Sequence, residues 1–166
     1  MNTIYSQAEH KADRKTAFAA ASKAARHAAA MGWKPCSDGE LIAGDVYGNA
    51  WSCCALGALA LQHKLDDQTD EHTMPDILLD VEDMPLAMTL DGVVGIKDRM
   101  HASRSVARTF DRMATTYWRA RYGYPLDYTD RRVLEENGIA DAEDFAHLSR
   151  SDFWLLVAKR FDRLSR

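Results

Sequence analysis

The stretch "AFAAASKAARHAAAMGW", Ala17 to Trp33, decides the fold class. Alanine loses the least on entering a helix, and nothing interrupts the run before Gly32. Read outward, the segment predicts one long helix from about Ser6 to Met31, with Gly32 as its C-terminal stop and Trp33 anchoring the exit. Lys23, Arg26 and His27 mark its wetter side. So many small side chains let a neighbouring helix approach closely.

The neighbour expected from the sequence is "WSCCALGALALQHK", Trp51 to Lys64. It reads as a helix from about Ser52 to Lys64 capped by Ser52 or Asn49, whose side-chain oxygens can take first-turn amides. Leu56, Leu59 and Ala60 recur at helical spacing, and Gly57 permits a close crossing at Ala28. The intervening "KPCSDGELIAGDVYGNA" carries Pro35, Gly39, Gly44 and Gly48, and predicts turns around a small hairpin with "LIA" and "VY" as strands.

Farther on, "DILLDVED" suits one short helix or strand, and "GVVGI" a brief buried extended piece. Val106, Phe110, Met113 and Tyr117 fall at spacings of three and four, predicting a helix from Ala102 to Tyr122. After the break at "YGYPLDYTD", short helices are expected at Asp130 to Asn137 and Asp141 to His147. A last one, from Ser151 to Leu164, is capped by Ser149 or Ser151. The expected fold is mainly α: a compact helical domain with a small extended or hairpin element and a helical C-terminal tail. Residues 1–122 would form the alanine-rich domain, with an acidic segment at 65–96, and residues 123–166 a helical subdomain packed on it.

With 166 residues, 46% hydrophobic and 28% charged, the chain has enough apolar surface to fold without a metal or disulfide. No run of 18 apolar residues suggests a membrane span, and the charged N-terminus lacks the apolar core of a signal peptide. Three cysteines without regular spacing argue against a secreted disulfide framework, so a cytoplasmic, reduced protein is expected.

Charge is unevenly placed. Between residues 65 and 96 stand nine acidic residues and no Lys or Arg: Asp66, Asp67, Asp70, Glu71, Asp76, Asp80, Glu82, Asp83 and Asp91. From Lys97 onward there are 14 basic and 11 acidic residues. The acidic block makes a negative field that repels nucleic acid and attracts a basic protein surface, or else is simply a solvated loop or a site for a hard cation. Asp66, Asp67, Asp70, Glu71, Asp80, Glu82 and Asp83 are the candidate partner-binding residues.

Cys53 and Cys54 are candidate nucleophiles, because amides and dipoles at a helix start favour a thiolate. A nucleophile needs an oriented base, for which His63, His72, His101 and Asp98 are available in the sequence. The competing reading is that the two thiols are small packing residues. Cys36, Cys53, Cys54 and His63 lack the spacing of a metal site, and no glycine-rich phosphate loop occurs, so no cofactor or metal is expected. Arg104 and Arg108, near the start of a helix, are candidates for binding an anion, unless Asp98 and Asp111 pair with them. Direct nucleic-acid binding is not expected, and a homo-oligomer remains open.

"AAAMGW", "GNAWSCCALGAL" and "VVGIKDRMHASRSVARTFDRMA" together resemble, over about residues 17 to 115, a family of small bacterial and phage proteins to which no activity is assigned. The resemblance implies a fold neighbourhood and a phage or bacterial origin. Where that family has Asn-Asp, this chain has Lys97-Asp98. Three function classes follow from the residues. The first is a non-enzymatic interaction protein docking its acidic surface on a basic partner, such as an inhibitor of a nucleic-acid-handling or defence complex. The others are a small cysteine-dependent enzyme and a small anionic-ligand binder.

Overall fold

Residues 4–36, 39–67 and 73–166 are described by the structure, a computed structural model. Among them run α1 (Gln7–Met31), β1 (Ile42–Asp45), β2 (Ala50–Cys53), α2 (Ala55–Asp66) and α3 (Met74–Glu82). A 3-10 turn (Leu86–Leu90) then leads to α4 (Arg99–Arg121), α5 (Tyr128–Glu136), α6 (Ala142–Ala146) and α7 (Arg150–Leu164). The fold is mainly α with one small hairpin, as the sequence predicts.

Local sequence closes both ends of α1. Ser6 Oγ accepts from the Glu9 amide at 3.1 Å, and the Glu9 carboxylate accepts from the Ser6 amide at 2.8 Å. At the far end Gly32 takes φ 67°, and the amides of Gly32 and Trp33 reach the carbonyls of Ala29 and Ala28. Between the caps, Ala17, Ala21, Ala24, Ala25 and Ala28 are buried, and α1 packs against α7, α2 and α4.

Its most extensive partner is α7. Phe18 meets Phe161 at 5.4 Å between ring centroids, Ser22 donates to the Ala158 carbonyl, and Ser151 donates to the Ala29 carbonyl at 2.8 Å. Those pairings run in opposite directions along the two helices, so α1 and α7 are antiparallel. Trp154 Nε1 closes the end by donating to the Trp33 carbonyl at 2.9 Å. Residues of α7, fully buried at Phe153, Trp154, Val157 and Phe161, belong to the same hydrophobic core as α1, α2 and α4.

The hairpin differs from the expected one. Ile42 pairs with Cys53 and Asp45 with Ala50, so the second strand is Ala50–Cys53 and "VY" lies in the turn. Asn49 at φ 58° bends the chain there, and the Tyr47 amide donates to the Asp45 carboxylate at 3.0 Å. As a result α2 starts three residues later than predicted, at Ala55, with Cys54 itself as N-cap. Gly57 also has another role than a crossing point at Ala28. A Cβ there would fall 2.0 Å from the Leu41 carbonyl oxygen, so the hairpin backbone occupies the space that its missing side chain leaves.

Between the two prolines a helix forms, not a strand. Thr73 and Asp76 make a capping box, Pro75 sits in the first turn, and Ile77, Leu78 and Val81 are buried. "GVVGI" is a turn and not a buried extended piece. The Val93 amide donates to Leu90, Gly95 adopts φ 92°, and Val94 is 92% exposed. The step into α4 is held by Asp13, a buried carboxylate on α1 that accepts from the amides of Lys97 (2.9 Å) and Asp98 (2.7 Å). Asp98 in turn caps α4 by accepting from the His101 amide, so this helix starts at Arg99, ahead of the predicted Ala102.

Gly57→Ala tests the packing of hairpin on helix. Helix propensity alone favours alanine by about 1 kcal/mol. The overlap with the Leu41 backbone is expected to outweigh this and destabilise the fold by roughly 3 kcal/mol, read by chemical denaturation.

Candidate functional site

Burial decides the chemistry of the cysteine pair. Cys53 ends β2 and Cys54 caps α2, its sulfur accepting from the Gly57 amide at 3.4 Å. Both side chains are buried among apolar residues. Desolvation pushes the Cys53 thiol well above its ordinary pKa, and pushes Cys54 up to about 12 although the Gly57 and Leu56 amides pull the other way. The helix-start effect that would favour a thiolate therefore loses to the apolar surroundings.

Of the candidate bases, His101 and Asp98 are engaged elsewhere, whereas the buried Nε2 of His63 has no hydrogen-bond partner among the described residues. His101 stacks on His10 with ring centroids 4.0 Å apart, and its Nε2 lies 2.9 Å from Arg14. Burial first, then the charges of His10 and Arg14, lower its pKa, which favours the neutral ring. Asp98 uses one oxygen on the His101 amide and the other on His10 at 3.2 Å. These groups tie α1 to α4. His63 packs against Gly92, where a Cβ would fall 2.7 Å from its ring. Among the described residues no hydrogen bond joins either histidine to a thiol, and no group of three or more His, Cys, Asp or Glu is placed to hold a metal. His72, Asp70 and Glu71 lie outside the described residues.

The described part of the acidic segment leaves most of its carboxylates exposed. Asp66 and Asp67 end α2, Asp80 and Glu82 stand on α3, and Asp83 caps it; all five are exposed. None of the five has an ion-pair partner among the described residues. Asp76 is taken up by its capping box, and Asp91 pairs with Arg99 at 3.0 Å. Between α2, α3 and Gly92 lies a cleft of about 420 Å³, with Asp67, Asp80 and Asp91 in its wall, Met84 and Met88 supplying apolar surface, and Lys64 at its edge.

A second groove, about 530 Å³, lies between α4 and the start of α5. The regular turn of α4 brings Arg104, Arg108 and Arg112 to one side, where all three are exposed. None has an ion-pair partner among the described residues, so Asp98 and Asp111 do not neutralise Arg104 and Arg108. Arg119 behaves differently, bonding Asp127 at 3.1 Å and the buried Asp130 at 3.0 Å. Asp130 also accepts from Thr116, which leaves the acidic end of the groove internally satisfied. Arg112 adds to the two predicted arginines, and its signal was the same four-residue spacing.

Asp111, in the groove wall, is half-buried, and desolvation raises its pKa. Its raised folded-state pKa means that the fold loses stability as pH rises above the unfolded carboxylate value. Asp111→Asn is expected to be more stable than wild type at pH 7, with the gain gone below about pH 4, where an unfolded aspartate is also protonated. Urea unfolding at both pH values checks this. For the thiols, native protein at neutral pH is expected to resist iodoacetamide at Cys53 and Cys54, with modification appearing only on unfolding. Rapid labelling of either in folded protein contradicts their burial.

Comparisons with protein-family models, curated proteins and solved structures give no match for this chain.

Proposed function

We propose that the protein is a non-enzymatic interaction protein that docks the acidic face of α2 and α3 on a basic partner surface. The observation that carries this reading is the group Asp66, Asp67, Asp80, Glu82 and Asp83, exposed and without ion pairs among the described residues. Unpaired carboxylates on one surface add their fields, steer a basic partner into encounter and discriminate against acidic ones. Met84 and Met88 beside them offer adaptable apolar contact of the kind interfaces use. A complex that handles nucleic acid presents a basic surface matched to a polyanion, and an acidic face competes for it. An inhibitor encoded by a phage or bacterial gene, acting on such a complex or on a defence complex, has this character.

The test compares wild type with the triple variant Asp80→Lys, Glu82→Lys, Asp83→Lys as bait in host lysate, at low and high salt. The expected result is a stoichiometric basic partner bound by wild type at low salt, released at high salt, and reduced at least ten-fold with the variant. Screening over a Debye length of about 8 Å at physiological salt makes the salt dependence part of the prediction. Equal capture by both proteins, or a partner indifferent to salt, refutes the reading.

A further inference from the structure

The α4 groove has a charge pattern that the acidic face does not explain. Arg104, Arg108 and Arg112 repeat every four residues along one helix, so neighbouring side chains are offset by about 6 Å along the axis. All three are exposed and lack an ion pair among the described residues. Their guanidinium groups present planar forks suited to two-point contact with phosphate oxygens. Thr115 and Thr129 add hydroxyls to the wall, one from each helix. The groove also holds three carboxylates: Asp127 and Asp130 at the far end are both bonded by Arg119, and Asp111 in the wall makes no ion pair with the three arginines among the described residues, so the four arginines leave a net positive charge.

The geometry points to the α4–α5 groove as a binding site for a small oligophosphate, with Arg104, Arg108 and Arg112 as its phosphate-holding residues. Three cations in a row match a ligand with several linked anionic groups, whereas a single carboxylate satisfies one of them. A volume of about 530 Å³ is of the size that takes a small molecule. Among the described residues no aromatic ring lines the groove, so a nucleobase finds no stacking platform and recognition runs through the phosphates. For the same reason, and because carboxylates close one end, the groove suits a compact ligand better than a continuous nucleic-acid strand. This site is independent of the acidic face, and either assignment can stand without the other.

Isothermal titration of the full chain with inorganic tripolyphosphate at low salt tests the assignment. Saturable one-to-one binding is expected, weakened about ten-fold in Arg108→Ala and abolished in the triple alanine variant of Arg104, Arg108 and Arg112. Arg150→Ala, an exposed arginine at the start of α7, should bind like wild type. The groove arginines are exposed, so melting temperatures should match and separate loss of binding from loss of fold. Adenosine triphosphate should bind within a few-fold of tripolyphosphate, because the base is not read. Absence of saturable binding overturns the site, as does wild-type affinity in the triple variant. Much tighter binding of the nucleotide overturns recognition through phosphates alone. Tighter binding of a single-stranded oligonucleotide, lost in the triple variant, replaces the small ligand with nucleic acid.

Discussion

Close packing against the small side chains of α1 is the constraint on which the rest of this structure depends. Alanines at 17, 21, 24, 25 and 28 leave no bulk to hold neighbours away, so α7, α2 and α4 all come against one helix. Larger side chains then fill the space between those neighbours. Phe110 stacks on Trp154 at 5.2 Å, and Tyr117 on Phe153 at 4.5 Å, with the Tyr117 hydroxyl donating to the Leu148 carbonyl. Small residues on the central helix and aromatic residues around it are two halves of one packing solution.

Polar groups fix the directions that this packing leaves free. Asp13 accepts two backbone amides at the entrance to α4, which sets where that helix begins. Such charge-assisted bonds are among the stronger ones, and a buried carboxylate persists because its acceptors are used. Once the start of α4 is held and its Val106–Tyr117 side faces the core, the arginine side must face out. The groove is therefore a consequence of how α4 is buried.

The same logic leaves two sets of exposed charges without ion pairs among the described residues, one acidic and one basic. Carboxylates around α3 find no cation in their own segment, because residues 65–96 contain no Lys or Arg. Three arginines of α4 likewise form no ion pair among the described residues, although Asp111 lines the same groove, and Asp127 and Asp130 are engaged with Arg119. Charges that the fold does not pair internally stay exposed to solvent.

The alanine run and the Gly32 stop made α1 legible, the three-and-four spacing of Val106 to Tyr117 made α4 legible apart from its Asp98-capped start, and an apolar stripe with the Ser149 cap made α7 legible. The acidic block and the spacing of the arginines were legible for the same local reason. Tertiary structure alone decided the rest. Whether Cys54 is a helix residue or its cap depends on the strand that ends at Cys53, and that strand exists through pairing with Ile42–Asp45. Gly57 is read locally as room for a helix, yet the atom filling that room is the Leu41 carbonyl. The thiols' chemistry was undecidable from a helix-start pattern because burial outweighs the local dipole. Sequence by itself determined where the long helices run and where acidic and basic residues cluster along the chain, which are properties of neighbouring residues. Long-range packing determined which polar groups are buried, paired or left open, because those depend on distant chain segments meeting.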